Sequence, residues 1–480
     1  MNKKYKELAK NTVLFTISSF GTKILTFLLV PLYTSILTTE DYGVADVILA
    51  SVNLLIYILT LNISSSVQRF AMEKFDYKKD ILTIGLRFSA LGTLVLGISI
   101  LICYKLHIVR WEPYCYLFLF LLFLFTNVNE ILNNYLRAID KIVSVVISGL
   151  LVTSVMITSN IVFLLVLDLG IIGYLGSNVL GLFVSTIYCF IVIKPKNIFE
   201  KIHENSEKKI KGMLQYSIPM SFNGLAWWIN ANLDKYFITA IVGPSYNGIY
   251  AVASKIPTIL STVLNIFMQA WGISAIKEYD KDDTDGFFSK TYELVNAFLV
   301  VLCSILILLN IPLAKIMFAK EFFVAWKCSS ILLIAGVFSG IGGFVGSIFS
   351  AVKDSKSYAM STIYGALVNV VLNIVLIPTM GIIGAGIATV LSYAVVLIVR
   401  LIRANKYIKW NVNIGKNIIG YCLLVMQVFF EHRNGHMYLG QMIVLGLLIL
   451  IYRKAFIRMF DMCNKIIRKN KYMKRRINNE

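Results

Sequence analysis

The chain has 480 residues, of which 58% are hydrophobic and only 15% charged. A water-soluble chain needs about 25% charged residues to wet its surface, so a soluble globular protein is excluded. The net charge of +20 invites a nucleic-acid partner, but most of the Lys and Arg fall in the termini and in alternate connections between apolar runs. That is the asymmetry of a membrane protein with its basic side in the cytoplasm, and it argues against nucleic acid.

Apolar runs of about 20 residues, enough to cross about 30 Å of hydrocarbon, recur along the chain. In lipid such runs fold as helices, because an unpaired backbone amide finds no water there. In chain order the predicted spans are 11–37, 42–66, 82–104, 114–136, 142–168, 171–193, 213–241, 246–272, 291–314, 327–352, 357–377, 382–404, 414–431 and 437–456. The fold class is therefore all-α, a polytopic membrane protein of about fourteen transmembrane helices. The first run is too long for a signal-peptide core and lacks a small-residue cleavage site, so it is expected to be retained. Both termini are expected in the cytoplasm, with the tail Arg468-Lys469-Asn470-Lys471-Tyr472-Met473-Lys474-Arg475-Arg476 against anionic headgroups.

The chemistry of enzymes is missing from this pattern. Cys103, Cys115, Cys189, Cys303, Cys328, Cys422 and Cys463 show no CxxC or CxxH spacing, so neither a metal nor a disulfide is expected. No GxxxxGK[ST] is present for P-loop hydrolysis of ATP. The short connections Thr38-Thr39-Glu40-Asp41, Gly243-Pro244-Ser245 and Pro378-Thr379-Met380-Gly381 suit tight turns and leave no room for a catalytic domain. No enzyme activity and no cofactor are expected.

The chain repeats itself. Gly43 of Tyr42-Gly43-Val44-Ala45 and Gly248 of Asn247-Gly248-Ile249-Tyr250 each stand 30 residues before a glutamate, Glu73 and Glu278. Asn160-Ile161-Val162 followed by Gly170-Ile171-Ile172-Gly173 has its counterpart in Asn373-Ile374-Val375 followed by Gly381-Ile382-Ile383-Gly384. The offsets of 205, 213 and 211 residues predict two six-helix halves. We expect bundles at 1–193 and 213–405, a cytoplasmic linker at 194–212, two further helices at 406–457 and a basic tail at 458–480. Six helices per half make the repeats parallel, with a cavity between them.

Ionisable groups inside spans cost about 2.5–3.5 kcal/mol each and default to functional candidates. Lys23, Arg87, Lys255, Asp234 and Lys235 are such groups, and Asp46 lies near the start of the second span. Asp234 and Lys235 are adjacent, so on a helix they do not face one another and each needs another partner. Trp227 and Trp228 sit mid-span, away from the interfacial belts where Trp usually anchors. Asn223, Asn230, Asn232, Gln269, Asn369 and Asn373 add polar character suited either to a hydrated cavity or to interhelical hydrogen bonds. Pro31, Pro219 and Pro257 are candidate bends.

Three blocks carry a family resemblance: Leu29-Val30-Pro31-Leu32-Tyr33 through Thr39-Glu40-Asp41-Tyr42-Gly43, Asn232-Leu233-Asp234-Lys235-Tyr236-Phe237 through Gly248-Ile249-Tyr250-Ala251, and Ile377 through Thr389. Over roughly residues 5–405 the chain resembles the polysaccharide transporters of the multidrug/oligosaccharidyl-lipid/polysaccharide exporter superfamily, and within them the O-antigen or capsule repeat-unit flippases. The resemblance implies two V-shaped bundles working by alternating access in a bacterial cell membrane. It implies undecaprenyl-pyrophosphate-linked oligosaccharide as substrate, with membrane lipids and the polysaccharide polymerase machinery as partners. Lys23, Lys255 and Arg87 are then expected to meet the pyrophosphate, since cationic groups stabilise it without a metal. Asp46, Asp234 and Lys235 are expected in a gate or ion pair, and Trp227 and Trp228 are candidates to stack on sugar. The same fold also serves drug/cation antiporters and peptidoglycan-precursor flippases. A drug exporter would hold acids in its cavity, whereas this inventory leans basic.

Overall fold

The computed structural model describes residue 23 and residues 25–72, 78–109, 111–194, 206–433 and 437–477. Among the described residues every regular element is helical. The helices are α1 (Val30–Ile36), α2 (Thr39–Leu59), α3 (Ile63–Ala71), α4 (Lys78–Lys105), α5 (Pro113–Ala138), α6 (Ile142–Asn160), α7 (Gly170–Ile193), α8 (Ser206–Ile241), α9 (Pro244–Ala253), α10 (Lys255–Lys277), α11 (Phe287–Met317), α12 (Trp326–Ala351), α13 (Ser355–Ala404), α14 (Ile414–His432) and α15 (Tyr438–Ile477). Among the described residues ten helices are long and apolar enough to cross a membrane, or eleven when the pair Pro244–Ala253 and Lys255–Met268 counts as one. This is a multi-pass membrane protein, as composition requires. Residues 11–22 and 24 of the first predicted span lie outside the described residues.

Four spans differ in form from the expectation. The run 42–66 is broken: α2 stops at Leu59, Leu61 and Asn62 take the left-handed conformation, and α3 restarts at Ile63. The Asn62 side chain stabilises the restart by accepting from the Ser65 hydroxyl at 3.0 Å. The fifth run passes from α6 into a π-helical stretch at Ile161–Val166. The eleventh and twelfth runs form one 50-residue element, with the non-helical Gly381 inside it. Pro31 and Pro257 fall in the first turns of α1 and α10, where an amide hydrogen has no intrahelical partner to lose, whereas Pro219 lies inside α8.

The chain forms two compact units, Met1–Val252 with Met317–Phe322, and Ala253–Ile316 with Phe323–Glu480. In the first unit α8 lies along α2. Ser221 donates to the Tyr57 carbonyl at 2.5 Å, the Trp228 indole donates to the Ala50 carbonyl at 3.0 Å, and the Ser51 and Tyr236 hydroxyls meet at 2.5 Å. Lys209 at the start of α8 reaches Asp80 of α4 at 2.7 Å. α8 is absent from the apolar spans because Gln, Ser, Asn, Asp and Lys interrupt its hydropathy, and of these Lys209, Ser221, Asp234 and Lys235 reach neighbouring helices.

The repeat has a physical meaning. Gly170 and Gly381, equivalent in the two halves, both take positive φ (51° and 59°), which glycine adopts at little cost. Three residues on, Gly173 and Gly384 approach the preceding helix so closely that a Cβ would lie 3.2 Å from the Phe163 carbonyl oxygen and 2.3 Å from that of Leu376. Gly43 and Gly248 go further, because these two equivalents touch each other's helices. A Cβ on Gly43 would lie 1.9 Å from the Pro244 carbonyl oxygen, and one on Gly248 would lie 1.9 Å from that of Thr39. The first turns of α2 and α9 thus cross backbone to backbone, in a reciprocal arrangement. Thr38 and Asp41 close a capping box on α2 at that point.

In the second unit, α14 is fastened to α11 by polar side chains at successive depths. Glu293 accepts from Lys416 and Arg458, each at 2.8 Å. Asn296 donates to Asn417 at 2.8 Å, and Ser304 and Gln427 exchange two hydrogen bonds at 2.7 and 2.9 Å. Asn310 donates to Glu431 at 2.7 Å. In hydrocarbon such groups have no competing water, so they set the register of the two helices.

The glycine crossing makes a prediction whose sign is unusual. In a helix interior Gly→Ala ordinarily stabilises by about 0.5–1 kcal/mol. Gly248→Ala should instead destabilise by about 1–3 kcal/mol or more, since the neighbour is backbone and cannot give way. Gly149→Ala, where a Cβ meets nothing within 4 Å, should not destabilise. Thermal unfolding of the detergent-purified variants checks both, and a Gly248→Ala protein as stable as wild type would mean the crossing is looser than described.

Candidate functional site

The glycine crossing brings α2, α8 and α9 together, and their ionisable residues meet beside it. Lys235 Nζ lies 3.0 Å from one oxygen of Asp46 and 3.1 Å from the other. The two side chains are 16% and 15% exposed, so the charges face each other with little water to screen them. Asn247, fully buried, donates its amide to the Gly43 carbonyl at 2.9 Å and points at Asp46 from 3.5 Å. Asp234, one residue from Lys235, turns to the opposite side as helix geometry demands. It is buried, accepts from the Tyr250 hydroxyl, and accepts from the Lys235 amide at 3.0 Å.

A tyrosine cluster adjoins these charges within the first unit. Tyr33 packs edge-on to Tyr174 with centroids 4.8 Å apart, and Tyr42 lies between Tyr174 and Phe322 at 5.8 Å from each. The segment Met317–Phe322 is held against α1 by Thr34, whose hydroxyl donates to the Met317 carbonyl at 2.9 Å and accepts from the Ala319 amide at 3.1 Å.

The other sequence candidates are spread over the helices. Lys23 and Arg87 are exposed, and Lys255 opens α10 half-buried. Trp228 is buried against α2, whereas the neighbouring Trp227 is 38% exposed. The structure therefore joins Asp46 with Lys235, sets Asp234 beside them on Tyr250, and keeps the basic candidates on separate helices. The side chain of Gln269 lies outside the described residues.

Sequence reasoning missed four charged residues within helices. Arg400 of α13, 2% exposed, donates to Ser361 at 2.9 Å, to the Gly342 carbonyl at 2.7 Å and to Thr362 at 3.0 Å, and stacks over Tyr358 at 4.3 Å. Read from sequence, Arg400 stands near a span end and looks free to reach water, but Gly346 lets Tyr358 and the guanidinium fold inward. Glu431 is the acid at the far end of the α14 fastening. Glu130 and Arg137 on α5 carried a visible signal: with Asn129, Asn133 and Asn134 they form a polar stripe at helical spacing in an otherwise apolar run. They line a cavity of about 270 Å³.

Comparison with known proteins agrees with this architecture. A family model described as polysaccharide biosynthesis protein matches residues 8–271. An uncharacterized membrane protein of Methanocaldococcus jannaschii is 26% identical over 267 residues, 52% of this chain and 62% of its own length, so the match spans less than two thirds of that relative. Among solved structures, the lipid II flippase MurJ in an inward closed conformation superposes with a TM-score of 0.67 at 16% identity, over 93% of this chain and 99% of its own. An inward-facing multidrug resistance MATE family transporter of the MOP superfamily gives 0.66 at 14% identity, over 80% and 95%. At such identities these two show the fold alone.

The Asp46–Lys235 pair generates a test of its own. Removing one partner of a buried pair leaves an uncompensated charge and costs roughly 3 kcal/mol. Lys235→Met and Asp46→Asn should therefore each lower the unfolding midpoint, while the double variant recovers much of the loss. Additive losses in a double-mutant cycle would show that the pair is not coupled.

Proposed function

Because the chain belongs to the polysaccharide biosynthesis protein family, we propose that it moves undecaprenyl-pyrophosphate-linked oligosaccharide repeat units from the cytoplasmic to the outer leaflet of a bacterial cell membrane. The observation that carries this reading is a multi-pass fold of the MurJ and MATE type in a chain whose family makes polysaccharide. The product is capsule, O-antigen or exopolysaccharide, and the polymerase machinery receives the translocated unit. The reading takes fourteen membrane crossings, with both termini in the cytoplasm and the repeat halves 1–193 and 213–405 as the two moving bundles.

Each candidate residue has a role in this cycle. Lys23, Lys255 and Arg87 meet the pyrophosphate as it leaves water, and charge-assisted hydrogen bonds compensate its lost hydration. Trp227 offers an indole face for sugar stacking. The α2–α9 crossing, with Asp46–Lys235 and Asp234–Tyr250, is a gate on the outer side: flat glycine contacts and short polar links part without unpacking a large apolar interface. Two negative charges leaving a cell that is negative inside gain about 2.3 kcal/mol per charge per 100 mV, which biases transport outward.

In cells lacking the gene, lipid-linked oligosaccharide should accumulate on the cytoplasmic leaflet. Wild type should clear it, and Lys23→Ala or Lys255→Ala at equal expression should not. Unchanged lipid-linked sugar accompanied by altered drug sensitivity would replace this reading with drug/cation antiport.

A further inference from the structure

The second unit carries a polar cavity of about 360 Å³ that none of the candidate residues lines. Its walls come from three stretches of chain: the turn before α11 with the first turns of that helix, the α13–α14 connection, and α15. Short contacts pin these walls together. The Asn411 amide donates to the Ser289 hydroxyl at 2.9 Å, the Lys409 amide donates to the Lys281 carbonyl at 2.8 Å, and Arg458 of α15 pairs with Glu293 of α11 at 2.8 Å. Asp283 is spent on capping α11, accepting from the Phe288 amide at 2.9 Å and from the Ser289 amide at 3.0 Å. Lys409 reaches Asp282 at 2.9 Å. Other charges in the lining stay uncommitted. Among the described residues the Lys290 ammonium donates only to the Asp285 carbonyl, at 2.6 Å, and the Asp285 carboxylate has neither a hydrogen bond nor an ion pair. Arg458 gives Glu293 one nitrogen of a guanidinium that carries five donors.

From this arrangement we infer that the cavity seats the headgroup of a phospholipid bearing a primary ammonium, with its phosphate on Arg458 and Lys290 and its ammonium on Asp285. Depth points to a lipid. Arg458 is the last residue of the apolar stretch Tyr438–Arg458, α14 starts at Ile414, and Trp410 packs edge-on to Tyr292 with centroids 5.4 Å apart. Trp and Tyr gather where hydrocarbon gives way to headgroups. Arg and Lys at that level meet lipid phosphate, and a guanidinium takes two of its oxygens at once. Charge selects the headgroup. The lining balances three bases, Lys290, Lys409 and Arg458, against three acids, Asp283, Asp285 and Glu293. A zwitterion suits that balance, whereas an anionic headgroup would leave Asp285 facing like charge. An ammonium with N–H donors hydrogen-bonds to the carboxylate, and a trimethylated one does not. Free phosphate shares half of this chemistry, the half that makes no use of Asp285. The seated lipid joins α11 to α15 beside the Glu293–Arg458 pair.

Binding is read without any lipid-linked sugar, so the outcome is separable from that of the transport experiment. The full chain, purified in detergent and stripped of lipid, is titrated at fixed pH with phosphatidylethanolamine, phosphatidylcholine, phosphatidylglycerol or inorganic phosphate. Native mass spectrometry counts the bound lipid, and thermal unfolding reads its effect. One phosphatidylethanolamine per chain should bind about tenfold more tightly than phosphatidylcholine, the worth of one charge-assisted hydrogen bond, and should raise the midpoint. Asp285→Asn should abolish that preference and leave phosphatidylcholine binding as it was. Lys290→Met should weaken both lipids several-fold, whereas Lys356→Met, at an exposed lysine in the first turn of α13, should change neither. Asp285 and Lys290 are exposed, so both variants keep the fold. Equal binding of phosphatidylethanolamine and phosphatidylcholine, a preference that survives Asp285→Asn, or tighter binding of phosphatidylglycerol would each overturn the assignment. Inorganic phosphate that protects as well as phosphatidylethanolamine would overturn it in favour of a free anion.

Discussion

The contact of two glycines is the constraint from which the first unit is built. Gly43 and Gly248 bring the opening turns of α2 and α9 to backbone distance, closer than any side chain permits. Everything beside that crossing inherits its geometry. Asn247 reaches the Gly43 carbonyl because the helices are so close, and Asp46, one turn further along α2, then stands opposite Lys235. Tyr42, next to Gly43 in the same turn, joins Tyr33 and Tyr174 in the tyrosine cluster.

A second theme is how a bilayer protein uses polar groups. In water most of these hydrogen bonds would add little, because solvent competes for both partners. In hydrocarbon there is no competitor, so each buried polar side chain either finds a partner or carries a desolvation cost. Arg400 shows a complete solution, with three hydrogen-bond acceptors and an aromatic face around one guanidinium. The α11–α14 fastening distributes the same logic over four levels, from Glu293 to Asn310. Glu130 makes one hydrogen bond among the described residues, from the Ser64 hydroxyl, with Arg137 on the same face of α5.

These two kinds of contact suit different tasks. The α11–α14 contacts interlock through long side chains and hold their helices in one register. The α2–α9 contact is smooth, made of backbone and small residues, and its charges lie at its margin.

Composition and hydropathy determined the class by themselves: with 15% charge and recurrent runs of spanning length, no other solvent than lipid suits the chain. The repeat was legible too, and the adjacent Asp234 and Lys235 already required separate partners, because neighbours on a helix point apart. Sequence did not reveal what the repeated glycines do, since a glycine marks a close approach without naming what approaches. Nor did it show that Asp46 is Lys235's partner, which depends on α2 and α8 lying side by side across 189 residues of chain. Arg400 is a like case: nearness to a span end reads as access to water, and only the packing of α12 and α13 around it decides that the charge points inward. Hydropathy is a property of one helix and survives in one dimension. Which polar group answers which is a property of helix pairs, and it exists only once the chain has folded.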